Sequence, residues 1–276
     1  MYSYNIFQWV LFFFVYCFFG WVYETTVVSL REKKFVNRGF LKSPFLPIYG
    51  FGAIMILICT IPVSENPFWV YVCGMVGATV LEYLTGWVME MIFKVKYWDY
   101  SKKYLNINGY ICLECTLIWG FFSLLMTYIV HKPIEKIVLN MSATVNLVLV
   151  IILSSLFVAD FIISFKTAVD MAKYLDRLYK LKEEFDVMAY IKLEETEEAI
   201  KDKSFMMKKE LVEDFRELYK NKTREIEVRM VVLQSEREEL LNKIGFFKKS
   251  LLNSFPRATS RTFGNTVDEI REYYQN

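Results

Sequence analysis

The sequence predicts an all-α, polytopic membrane helix bundle: five transmembrane helices followed by a C-terminal cytoplasmic helical tail. The chain has 276 residues, of which 54% are hydrophobic and 17% aromatic. Five apolar runs precede residue 166, and a helix needs about 20 residues to cross the hydrocarbon core. Charge separates the two parts, because residues 1–165 contain 11 basic and 9 acidic side chains and residues 166–276 contain 22 of each. We therefore predict a transmembrane domain, 1–165, and a tail domain, 166–276.

The five apolar runs cover residues 6–28, 46–62, 68–93, 109–130 and 141–165. The first is preceded by no basic segment and followed by no small-residue cleavage site, so we expect a retained span rather than a signal peptide. The second is the shortest and begins inside a proline-containing loop, which predicts a tilted or partly broken helix. All five cysteines fall inside apolar runs, and we expect reduced, packed thiols.

Loop charges predict the orientation. The first and third loops carry nine Lys and Arg residues, whereas the second and fourth carry two. Basic residues accumulate in cytoplasmic loops. The N-terminus is therefore predicted outside and the tail in the cytoplasm, so that the protein is a multi-pass component of a bacterial inner membrane.

The stretch 37–52, which covers the end of the first loop and the start of the second apolar run, is predicted to be the organising feature of the bundle. Pro44 and Pro47 remove two backbone donors and prevent a continuous helix. Irregular backbone at a membrane boundary is tolerated where protein or water satisfies it. We expect a packed, site-forming loop; a short basic connector is the alternative. The third loop is similar in kind. The predicted loop-forming residues are Asn37, Gly39, Pro44, Pro47, Gly50, Trp98, Tyr100, Asn106 and Gly109.

Acidic residues inside the spans are the candidate functional groups, since each costs about 2.5–3.5 kcal/mol on insertion scales. Glu82 and Glu90 are eight residues apart, which places both on one side of the third helix, about 12 Å apart along its axis. Glu24, Glu90 and Glu114 are predicted at one depth, beside the loops that carry Arg38 and Asp99. A buried Arg38 needs a carboxylate partner, so we expect Arg38 to lie close to Glu24 and Glu90, with Glu24 as the nearest acid within a span. The predicted pocket or substrate path consists of Glu24, Arg38, Tyr49, Glu82, Glu90, Asp99, Glu114 and Asp160.

Four interpretations of these carboxylates stay open. Paired with Arg38, they could lock helices together. They could line a path for a cation or a polar solute. They could bind a divalent cation as hard oxygen ligands. One of them could act as a general base on a lipid headgroup.

Other chemistries have little support in the sequence. The net charge is +2 and no basic patch is interleaved with exposed aromatic residues, so no nucleic acid is expected. No Walker A or G-x-S-x-G motif occurs. Cys112 and Cys115 form a lone C-x-x-C pair, and the only histidine, His131, is predicted on the other side of the membrane. We predict no metal site and no cofactor, apart from the divalent cation considered above.

The tail is predicted to be helical from residue 166 to 244, with apolar residues at three- and four-residue steps. A break is predicted within residues 194–203, and a last helix at 265–274. The heptads are irregular, so an amphipathic hairpin is expected ahead of a coiled coil that binds a second copy or a partner.

Five motifs together resemble one family: FGWVYE (19–24), NRGFLKSPFLPIYGFG (37–52), LEYLTGWVME (81–90), YWDYS (97–101) and NINGYICLE (106–114). They are similar to the bacterial putative ABC-transporter type IV membrane proteins, also called CmpB-like permeases. The FPRATS sequence of the tail looks similar too. Matching positions are Gly20, Glu24, Arg38, Gly39, Pro44, Pro47, Tyr49, Gly50, Glu82, Glu90, Trp98, Asp99, Tyr100, Asn106 and Gly109.

Three positions depart from the family pattern. Ser43 replaces a usual glycine, Gly86 a frequent serine and Tyr110 a usual arginine. The last change leaves Arg38 as the main cation expected beside the carboxylates.

The resemblance implies a permease-like transport component, with any ATPase in a separate chain. We expect the lipid bilayer as its surroundings, and a homo-oligomer is considered. An intramembrane or interfacial enzyme acting on a lipid or headgroup is one alternative, ranked behind a non-enzymatic role. A structural or signalling anchor for a helical cytoplasmic partner is the other.

Overall fold

The computed structural model describes residues 4–202 and 209–275, and these form helices joined by loops. Two isolated β-bridges, Lys96–Thr259 and Ile107–Ile111, are the strand-like contacts found among them. The chain folds into two compact units. The first comprises Met1–Ala172 with Phe247–Thr262, and the second comprises Lys173–Phe246 with Phe263–Asn276. The domain boundary after residue 165 stays a prediction, because compactness does not show where a membrane ends.

The helices of the first unit are α1 (Ile6–Glu32), α2 (Pro47–Thr60), α3 (Pro67–Phe93), α4 (Leu113–Leu125), α5 (His131–Leu139), the first part of α6 (Ala143–Asp202) and most of α8 (Phe246–Ser254). Asn5 and Gln8 form a capping box at the start of α1. Proline occupies the first turn of α2 and of α3, where no donor is lost. A 3₁₀ turn, Ile61–Val63, follows α2, and a π-helical turn, Met126–Val130, joins α4 to α5.

Four helical stretches of the described chain are long and apolar enough to cross a membrane: Ile6–Glu32, Pro67–Phe93, Leu113–Leu139 and Ala143–Ala189. A shorter apolar helix, Pro47–Val63, corresponds to the second predicted run. The all-α membrane bundle is thereby confirmed. The count of five spans and the N-out orientation stay predictions.

Small residues let α3 pack closely inside the bundle. Its buried positions recur every four residues through Val70, Gly74, Ala78, Glu82 and Gly86. A side chain added at Gly74 would overlap Ser123 of α4, and one added at Gly86 would press on Tyr110 and Trp98. Close helix contact through small residues is typical of membrane bundles. The stripe places Glu82 inside the protein rather than against lipid.

The second unit is a helical hairpin with a short third helix. Its helices are the rest of α6, α7 (Lys209–Asn242) and α9 (Thr266–Gln275). The Tyr174 hydroxyl donates to the Leu240 carbonyl, and Arg229 pairs with Glu184, so α6 and α7 run antiparallel. Lys182 pairs with Glu269 of α9. This is the hairpin that the sequence favoured. A coiled coil with another chain stays a prediction. The break predicted at 194–203 is wrong for residues 194–202, because α6 continues through Asp202, and residue 203 lies outside the described residues.

Candidate functional site

Arg38 folds back from the first loop onto the end of α1. Its Nε donates to Glu24 Oε2 at 3.2 Å, and its backbone N–H donates to Thr25 Oγ1. The Arg38 and Glu24 side chains are 18% and 27% exposed. Tyr49 of α2 donates to the other oxygen of Glu24 at 2.9 Å. The predicted pairing of Arg38 with Glu24 is confirmed, and it joins the first loop to two helices.

Gly20 makes this arrangement feasible. A side chain there would overlap the ring and Cβ of Tyr49, so glycine is what lets α2 approach α1 one turn before Glu24. The loop is fixed by further bonds. Trp21 Nε1 donates to Asn37 Oδ1 at 2.6 Å, and the Leu46 N–H donates to the Cys17 carbonyl. Gly39 and Pro44 lie in the irregular stretch between them, and Pro47 and Gly50 lie in α2.

Residues 254–261, which we call the return segment, lie against both loops. Arg38 Nη1 donates to the Ser254 carbonyl at 2.5 Å, and its guanidinium stands 4.7 Å from the Phe255 ring centroid. Phe255 also packs edge-on against Tyr97 of the third loop, with centroids 4.6 Å apart. Arg38 therefore contacts a carboxylate, a carbonyl and an aromatic face at once.

Backbone and side-chain bonds attach the return segment to the third loop. Lys96 and Thr259 exchange two N–H to carbonyl bonds of 2.8 and 3.0 Å. Ser260 Oγ donates to the Lys94 carbonyl, and Thr259 Oγ1 donates to Asp99 Oδ2 at 2.9 Å. These contacts cover the loop end of the carboxylate cluster with a piece of the tail.

The third loop is itself a closed turn. Asp99 accepts from the N–H and the hydroxyl of Ser101, and Asn106 bonds the Ser101 and Lys103 carbonyls. Gly109 has a φ of 73°, a conformation that suits glycine, and its N–H donates to Asn106 Oδ1. Burial raises the pKa of Asp99, but the bonds from Ser101 and Thr259 and the charge of Lys96 outweigh it, so its pKa is lowered.

Glu82 is the buried carboxylate of the site, with 6% of its surface exposed. Trp119 Nε1 of α4 donates to Oε2 at 2.8 Å, and the Tyr100 hydroxyl donates to Oε1 at 3.3 Å. In the part of the chain that the structure describes, no Lys, Arg or His side chain forms an ion pair with it. The deep acid thus relies on two neutral donors.

Glu90 has partners other than Arg38. Tyr110 donates to its Oε2 at 2.6 Å, and Arg261 Nε of the return segment lies 3.8 Å from Oε1. The family pattern has arginine at position 110, and the sequence left Arg38 as the main cation. The structure corrects this, because Arg261 brings a second cation from the tail.

Two predicted acids lie apart from the buried cluster. Glu114 is 60% exposed and pairs with Lys103 at 2.7 Å, which is a surface ion pair. Asp160 accepts bonds from the backbone N–H groups of Lys42 and Ser43 and from the hydroxyls of Ser43 and Ser164. It fastens the first loop to α6. Trp98 has a similar positioning role, since its Nε1 donates to the Tyr110 carbonyl.

The inner residues form two hydrogen-bonded groups, which together we call the polar chain. Arg38, Glu24 and Tyr49 make up the group at the first loop, and Tyr100, Glu82 and Trp119 make up the group inside the bundle. Among the described residues, no group of three or more His, Cys, Asp or Glu side chains is placed to hold a metal ion.

Sequence reasoning missed the return segment as part of this site. Its FPRATS motif is similar to the tail of the family, but the motif by itself does not indicate which loops the segment contacts. A groove of about 520 Å³ in the second unit was missed as well. Residues lining it include Tyr179, Lys182, Glu183, Asp186 and Phe263.

Comparison with known families identifies the region that contains this site. The model of the family described as Putative ABC-transporter type IV matches residues 11–165, more than half of the chain. No curated protein and no solved structure matches the sequence. The matched residues include Glu24, Arg38, Tyr49 and Glu82 together with the apolar helices that hold them. The chain is thus a transport-related membrane protein that belongs to the Putative ABC-transporter type IV family.

Proposed function

We propose that this chain is the membrane-spanning component of a transport system, and that the polar chain from Arg38 to Glu82 is the cytoplasm-facing part of its substrate path. The observation that carries the proposal is Glu82. Ionisable residues inside membrane helices are expensive and typically mark ion or substrate pathways. A carboxylate kept there by Trp119 and Tyr100, both neutral donors, is available to a cation or to the polar part of a solute.

The ATPase, where one is required, belongs to a separate chain. This sequence has no Walker A motif, so it supplies no nucleotide site of that kind. The basic first and third loops and the tail are on the cytoplasmic side in this proposal, which places them where such a subunit would dock. The return segment adds Arg261 to that surface, and its side chain is 57% exposed.

Purification in mild detergent from native membranes, followed by mass spectrometry, tests the partner. We expect a chain with a Walker A motif to be enriched with the wild-type protein. Chemical cross-linking before solubilisation guards against loss of a weak partner. Repeated enrichment of enzymes of lipid metabolism, with no nucleotide-hydrolysing chain, would contradict the proposal and favour the enzymatic alternative.

Glu82→Gln tests the path, since it removes the charge and keeps the size and hydrogen-bonding reach. We expect normal expression and partner binding, with ATP hydrolysis by the reconstituted complex reduced at least about tenfold, equivalent to about 1.4 kcal/mol. Glu65→Gln is the matched control, because Glu65 is an exposed acid in the connection before α3. Equal ATPase activity in both variants and the wild type would rule out a role for Glu82.

A further inference from the structure

The most informative group outside the carboxylate path is a buried histidine. His131 is the only histidine in the chain and is 5% exposed at the start of α5. It follows directly on the π-helical turn, Met126–Val130. Such turns occur frequently at functional sites. Both ring nitrogens of His131 are engaged by tyrosine hydroxyls, which gives the ring a defined hydrogen-bonding state.

The directions of these hydrogen bonds follow from counting hydrogens. The Tyr4 hydroxyl donates to Glu135 Oε1 at 2.6 Å and lies 3.1 Å from His131 Nε2. A hydroxyl has one hydrogen, and an ionised carboxylate has none. Because Tyr4 gives its hydrogen to Glu135, its oxygen must accept from Nε2–H.

A neutral imidazole has one N–H, so Nδ1 must then be an acceptor. The Tyr16 hydroxyl lies 2.8 Å from Nδ1 and donates to it. The resulting chain runs from Tyr16 through His131 and Tyr4 to Glu135. The charge of Glu135 therefore sets the tautomer of the ring and the direction of the Tyr16 hydroxyl.

One end of this hydrogen-bonded chain is buried, and the other end is a carboxylate. Tyr16 is buried on α1, and Glu135 is the partly exposed end of the chain. Glu135 is the ionisable group that acts electrostatically on His131, and Lys132 of the same helix lies over the Tyr128 ring instead. Tyr16 belongs to a hydrophobic core cluster to which α1, α2, α5 and α6 all contribute, with Leu11, Phe12, Leu57, Ile134, Val138 and Leu153 among its members and the residues packed on it.

We propose that Tyr16, His131, Tyr4 and Glu135 form a proton-binding site in which the added proton is held at His131 Nδ1. One proton is taken from water, one N–H bond forms at Nδ1, and Nε2–H is retained. The imidazolium is balanced by the Glu135 carboxylate through Tyr4. Tyr16 changes from donor to acceptor, because Nδ1 now carries hydrogen. Tyr16 lies on α1, eight residues and about 12 Å before Glu24, the partner of Arg38. The proposal does not depend on the transport function above.

Nitrogen NMR of the full-length protein in phospholipid nanodiscs tests this directly. The single histidine gives one pair of ring resonances after ¹⁵N-histidine labelling, provided that the purification tag contains no histidine. We expect a protonated Nε2 and an unprotonated Nδ1 above neutral pH. On acidification, Nδ1 should become protonated along a one-proton curve while Nε2 stays protonated. A neutral Nδ1–H tautomer would overturn the proposal, as would an unprotonated Nδ1 down to about pH 4, far below the ordinary histidine pKa of about 6.5.

Glu135→Gln removes the charge that fixes the tautomer, because an amide both donates and accepts. We expect a mixture of both neutral tautomers in this variant above neutral pH. Glu65→Gln is the matched control and should give the wild-type spectrum, since Glu65 is an exposed acid in another connection. Tyr4→Phe breaks the same hydrogen-bonded link and keeps the carboxylate. This variant should also show a mixture of both neutral tautomers, and it provides the test if Glu135→Gln fails to fold. A wild-type spectrum in either variant would refute the assignment.

Discussion

At the scale of single residues, the energetics of the site depend on how deeply each ion pair is buried. Arg38 cannot lose its charge, so it depends on its acceptors, Glu24 and the Ser254 carbonyl. Lys103 and Glu114 form an ion pair at 2.7 Å, but both side chains are more than half exposed. Removing one partner of a buried ion pair costs about 3–5 kcal/mol of stability, whereas an exposed ion pair contributes at most about 1 kcal/mol.

We predict that Glu24→Gln lowers the free energy of unfolding by about 1–3 kcal/mol, between these limits, because the pair is only partly buried. Unfolding in mixed detergent micelles, followed by far-ultraviolet circular dichroism, measures the change. Glu114→Gln is the matched control and should cost less than about 1 kcal/mol. Equal losses in the two variants would mean that Arg38 draws little stability from Glu24.

At the scale of elements, the return segment is a strap held by a few exchangeable bonds. It has two backbone bonds to Lys96, hydroxyl bonds from Thr259 to Asp99 and from Ser260 to the Lys94 carbonyl, the Arg38 bond to Ser254, the Arg261 ion pair with Glu90 and the aromatic contact of Phe255. Most of these contacts are made with loop residues rather than with a helix face. The segment should therefore open more readily than the helices it covers.

The lowered pKa of Asp99 predicts that this strap weakens in acid. A group whose pKa is lower in the folded state stabilises the fold above its unfolded pKa, about 3.9 for aspartate, and loses that contribution as the pH falls through the folded value. Hydrogen exchange at the Lys96 and Thr259 amides, corrected for intrinsic rates, should show protection lost below about pH 4. Thr259→Val removes one bond to Asp99 and should lower the protection at neutral pH. Protection that is independent of pH in the wild type would contradict this account.

At the scale of the whole molecule, the assignment of sides rests on loop charge. The first and third loops hold nine basic residues; the first loop carries Arg38, the partner of Glu24, and the third loop contacts the return segment. The opposite connections hold two basic residues, and His131 and Glu135 lie close to one of them. The two polar sites are therefore predicted to face different compartments.

We predict N-out and C-in topology, because nine of the eleven loop lysines and arginines fall in the first and third loops. A single cysteine placed at Lys102 in a cysteine-free background should react only after the cytoplasmic face is opened to an impermeant thiol reagent. A cysteine placed at Glu65 is the matched control and should react in intact cells. Labelling of position 102 in intact cells, with position 65 protected, would show that the orientation is the opposite of the predicted one.

The sequence by itself determined the membrane class, the helical fold and several pairings. Hydrophobic length and charge distribution are local properties, so they identified the apolar helices and the charged tail. The eight-residue spacing of Glu82 and Glu90 predicted that both lie on one side of the third helix, and Glu82 lies on the buried stripe of α3. Arg38 was paired with Glu24 because a fixed charge near a membrane needs an anion, and the proline-containing loop kept that anion within reach.

The tertiary structure alone decided which distant segments complete each site. Arg261 reaches Glu90 from a segment 171 positions later in the chain, and His131 meets Tyr4 and Tyr16 across more than 100 residues. Such contacts have no periodicity, because they depend on where helices cross and where the chain returns, not on spacing within one element. Glu114 and Glu82 were both predicted in the pocket, and packing separated them: Glu114 faces water beside Lys103, and Glu82 is enclosed between α3 and α4. Burial is set by neighbours on other helices, and only the folded chain supplies those.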